Sequence, residues 1–67
     1  MSQFYITNEN TEDTFDSTHN LQDAIRIARE VAQKAQAGDP VCIEHKGKNI
    51  RQFVLMSDGK VAEERIA

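Results

Sequence analysis

Asn20-Leu21-Gln22-Asp23-Ala24-Ile25-Arg26-Ile27-Ala28-Arg29-Glu30-Val31-Ala32-Gln33-Lys34-Ala35-Gln36-Ala37-Gly38-Asp39-Pro40 is the stretch on which the fold turns. Leu21, Ala24, Ile25, Ala28, Val31, Ala32 and Ala35 recur at the three-and-four spacing that lines one face of a 3.6-residue repeat, which predicts a helix over about 21–37. Asn20 can accept a backbone N–H of the first turn, with Ser17 or Thr18 as earlier alternatives, and Asp23 complements the positive end of the helix dipole. Gly38 offers a left-handed exit, and Pro40 prevents resumption. Such a helix is ~25 Å long, enough to cross a small sheet. Four of its seven inward residues are alanine, so it should lie close against whatever it covers. Ile27, on the shoulder of the stripe, is expected to pack toward Phe15.

Beyond Pro40 the apolar pattern changes to period two. Val41 and Ile43 point one way, Cys42 and Glu44 the other. Lys46-Gly47-Lys48-Asn49 reads as a turn, Ile50 to Met56 as the next strand, and Ser57-Asp58-Gly59-Lys60 as a hairpin bend whose Asp-Gly suits a type I′ turn. Val61 to Ile66 carries Glu63, Glu64 and Arg65, as suits an edge strand, with a short helical end as the alternative. Before the helix, Gln3 to Thr7 is rich in aromatic and β-branched residues and reads as a strand. Asn8 to Asp13 is a polar loop, and Thr14-Phe15-Asp16 is either a returning strand or a lead-in to the helix. The result is a single α+β domain over 1–67, a two-layer sandwich in which an antiparallel sheet of 3–5 strands carries one helix on one face.

Length and composition bound the function. Sixty-seven residues leave no room for a second domain or a deep interlobe cleft. Eleven acids against eight bases give a net charge of −3, unlike a nucleic-acid binder coated in positive charge. One cysteine excludes an internal disulfide framework, and no apolar run approaches the ~18 residues of a membrane span. The opening residues show no basic-then-apolar secretory pattern, so the expectation is a reducing, cytoplasmic setting.

Asn20 to Ala32, followed by Val41-Cys42-Ile43-Glu44-His45 and a glycine-containing turn, resembles small bacterial families of unknown function. In those a short N-terminal strand region precedes an alanine-rich helix and a β-hairpin. The resemblance covers roughly Phe15 to Phe53 and implies the α+β architecture. It carries no activity, cofactor or site residue with it.

The residues that could do chemistry are few. Cys42 and His45 stand three apart on a strand and so project to opposite faces, which keeps them from sharing one metal ion. Asn8, Asn10 and Glu12 alternate like the oxygen ligands of a calcium loop, but Asp13 occupies the position that needs glycine and His19 the position that needs glutamate. Asp16, Ser17 and His19 are too close in sequence to form a nucleophilic relay, and Gly38, Gly47 and Gly59 are each explained by an exit or a turn. The chain is therefore read as non-enzymatic, with no cofactor and no metal.

Two surfaces remain. Ile50, Gln52, Val54 and Met56 lie on one side of their strand; Arg51, Phe53 and Leu55 lie on the other. A sheet covered on one side should be polar on its free side. This strand is apolar on both, so either the chain's own loops fold over the second side, or Phe53, Leu55, Cys42 and Tyr5 form a docking surface for a second copy or for another protein. The alternative uses His45-Lys46-Gly47-Lys48-Asn49-Ile50-Arg51, where Lys46, Lys48 and Arg51 meet no acid and could contact nucleic acid or an acidic partner. Residues 1–23, by contrast, hold five acids and no base.

Overall fold

The computed structural model describes residues 3–66. Strand β1 (Phe4–Asn8) turns back into β2 (Thr14–Thr18), helix α1 (Leu21–Lys34) follows, and β3 (Pro40–His45), β4 (Lys48–Leu55) and β5 (Val61–Arg65) form a meander. The sheet order is β2-β1-β3-β4-β5, and every neighbouring pair is antiparallel. The helix carries the chain from an edge strand to the central one, and it covers one face only. Both Thr14–Thr18 and Val61–Arg65 are strands, and they are the two edges.

Alanine sets the distance between the layers. Ala24, Ala28 and Ala32 are fully buried and meet Ile6, Val41, Ile43 and Phe53 from the sheet, while Phe4, Leu21, Ile25, Ile27, Val31, Ile50 and Val61 close the margin. The helix starts where the sequence predicts: Asn20 Oδ1 accepts the Gln22 N–H at 2.7 Å and the Asp23 N–H at 3.4 Å. It ends at Lys34, three residues before Ala37. The physical reason is a competing bond. Ala35 is extended at ψ 169°, Gln36 to Asp39 form a turn closed by the Asp39 N–H on the Gln36 carbonyl, and the Gly38 N–H donates to Leu55 at 3.0 Å. Gly38, at φ 91°, thus serves this turn rather than the helix terminus.

The two hairpin bends also differ from expectation. The type I′ geometry lies at Lys46-Gly47, both with positive φ (53° and 79°), so the turn has two residues and Lys48 already belongs to β4. At the second bend only Gly59 has positive φ, the Gly59 N–H bonds the Met56 carbonyl, and the Met56 N–H bonds Lys60. This is a three-residue loop with a glycine bulge, and Asp58 supports it by accepting the Lys60 N–H at 3.0 Å.

Two irregularities in the ladders decide which side chains face the helix. Between β3 and β4 the register slips: Glu44 opposes Asn49, but Ile43 opposes Arg51 and Val41 opposes Phe53. Ile50 is the extra residue, and it packs against the core. Between β1 and β2 the slip falls at Phe15, which borders Ile27 and Val31 of the helix but, on an edge strand, stays 46% exposed instead of reaching into the core.

Candidate interaction surface

The register slip in β4 separates the residues expected to dock together. Phe53 is fully buried on the helix side of the sheet, and the Arg29 guanidinium lies 5.7 Å over its ring. Leu55 shares that side by alternation, is half-buried, and gives its carbonyl to Gly38. Tyr5 and Cys42 point to the other face. The expected surface of Phe53, Leu55, Cys42 and Tyr5 is thus split between two sides of the sheet, and Phe53 has no exposure with which to dock. Counting back from Lys46-Gly47 without a bulge pairs Ile43 with residue 50 and sends Phe53 outward; one inserted residue reverses this.

The uncovered face can be read from the pairing. Its middle row runs Thr14, Thr7, Cys42, Gln52, Glu64; one flanking row is Ser17, Tyr5, Glu44, Asn49, and the other is Pro40, Val54, Ala62. Tyr5 is 38% exposed, Pro40 and Val54 are half-buried, and Cys42 is fully buried beneath its neighbours. The 8–13 loop reaches over this side, where Glu9 Oε2 accepts the Cys42 S–H at 3.5 Å. Burial, and then the charge and hydrogen bond of Glu9, push the thiol up to about 11. A shallow concavity beside it is lined by Thr7, Asn8, Glu9, Glu12, Glu44 and Asn49.

The basic hairpin does not converge. Lys46 and Lys48 are exposed at the tip, whereas Arg51 has only 15% side-chain exposure. Its guanidinium donates to the Ile50 carbonyl at 3.2 Å and lies 3.9 Å from Glu63, which Arg29 also engages at 2.6 Å. His45 stacks on Phe4 with ring centroids 4.1 Å apart, and its Nδ1 is 3.2 Å from the Gln3 carbonyl oxygen. That ring lies on the helix side, away from Cys42, as strand alternation predicts.

The other polar candidates are held in local structure. Asn8 Oδ1 accepts the backbone N–H groups of Asn10 and Thr11, and the Asn10 amide donates to Asp39 at 3.2 Å. Asp16 accepts the Ser17 N–H at 2.7 Å. Among the described residues no group of three His, Cys, Asp or Glu is placed to hold a metal ion, and no helix is long and apolar enough to cross a membrane. Grooves flank the helix on both sides, one toward Lys60 and Val61, the other toward Phe15. Compared with known proteins, the chain matches no family model, no curated protein and no solved structure.

Proposed function

We propose that this chain is a non-catalytic protein-association domain that docks through the uncovered face of its sheet. The observation that carries the reading is the one-sided layering. Five strands are roofed by a single helix, and the other side presents Tyr5, Val54 and Pro40 among short polar side chains, with the 8–13 loop over part of it and no helix or strand across it among the described residues. The buried free thiol of Cys42 fits a reducing, cytoplasmic setting.

Site-specific photocrosslinking in the cells that make the protein tests this. A photoreactive phenylalanine at Tyr5 or Gln52 is expected to give discrete protein adducts, while the same group at Gln22 or Gln33 on the exposed side of the helix gives none. Adducts from the helix positions alone, or none from any position, overturn the reading.

A further inference from the structure

Resting on that reading, we infer that the occupant of the uncovered face is a cationic strip of another protein, not a second copy of this chain. The charges are partitioned by the sheet. All eight Lys and Arg residues lie elsewhere: Arg26, Arg29 and Lys34 on the helix, Lys46 and Lys60 in turns, and Lys48, Arg51 and Arg65 at strand positions on the helix side. Glu44 and Glu64 stand on the uncovered face, and Glu9 and Glu12 lean over its rim from the loop. The ion pairs among the described residues join Arg26 to Asp23 and Glu30, and Arg29 and Arg51 to Glu63; none of them uses Glu9, Glu12, Glu44 or Glu64.

This arrangement disfavours self-pairing. A twofold stack of two such faces sets eight carboxylates against one another with no cation between them. A cationic strip suits the charge pattern. Lysine or arginine stems lie along Val54 and Pro40, a guanidinium can cover the Tyr5 ring, and the charged ends reach the glutamates. Glu44 and Glu64 stand two strands and two residues apart, about 12 Å between Cα atoms, so the occupant must present at least two separated cations.

The test is a ¹⁵N-resolved NMR titration of the whole chain with a capped decapeptide of alternating lysine and threonine, and with its glutamate counterpart as control. Expected are shifts confined to Thr7, Glu44, Gln52 and Glu64 and their neighbours, no response to the acidic peptide, and at least fivefold weaker binding of the Glu44→Gln/Glu64→Gln variant. Glu30→Gln on the helix should bind like the parent. Shifts spread over the helix, or equal binding by the double variant, overturn the inference. A mass that doubles with concentration and returns to monomer in Val54→Lys makes a second copy the occupant; the inference then fails and the docking face stands. Silence of the face toward the peptide, with no dimer and no crosslinked adducts, removes both.

Discussion

Cys42 is the clearest case of a reactive group whose setting disarms it. A thiolate needs water or a cation to carry its charge, and here the sulfur has neither: it is buried, and its S–H is directed at a carboxylate. Because the folded pKa, about 11, lies above the ordinary 9.0, the folded state holds the proton more tightly than the unfolded chain does. The stability this confers is complete below pH 9 and is lost as pH rises through 11, a decline on the order of 2 kcal/mol. Urea unfolding at pH 8, 9.5 and 11 should show that decline in the parent and a flatter profile in Cys42→Ala, whatever the variant's baseline. Iodoacetamide at pH 8 should label the parent only as fast as it unfolds.

At the scale of elements, turn chemistry holds the register on which everything else depends. Lys46 tolerates φ 53° poorly because its Cβ crowds the following carbonyl, whereas Gly47 at φ 79° has no such cost and open space around it. Gly47→Ala should therefore lower stability by about 1 kcal/mol through backbone conformation alone, and Lys46→Asn should raise it by a few tenths, both read from urea midpoints. The helix was legible from its repeat, and its start from Asn20, since capping is chemistry local to a few residues. Its end was not, because the N–H of Gly38 prefers the distant carbonyl of Leu55 to a further helical turn. The sidedness of β4 was hidden for a related reason. Alternation sorts Phe53 from Val54 in sequence, but a bulge at Ile50 arises from pairing with β3, and no property of residue 50 by itself announces it. Gln52, polar in the middle of an otherwise apolar row, was the available sign of which side stays uncovered.

For the molecule as a whole, the small core makes Phe53 a question of folding, not of association. It is the largest of the fully buried side chains, and a 67-residue domain has a thin margin. Truncation to alanine removes about 3–5 kcal/mol, so Phe53→Ala should lower the melting temperature by at least ~12 °C, followed by circular dichroism. Val54→Thr, one residue along and on the other side, should move it by only a few degrees. That contrast reads out the register of β4 directly, since a strand set one residue differently would reverse which variant is damaged.

The alanine seam has a consequence for how such a domain can diversify. Alanine methyls run down the middle of the contact between helix and ladder, and Leu21, Ile25, Ile27 and Val31 fill its margins, so these inward positions serve cohesion. Letters on the wet side of the ladder, the threonines, Gln52 and the glutamates among them, can be rewritten while the glue beneath stays as it is, and a single scaffold can then wear many different labels.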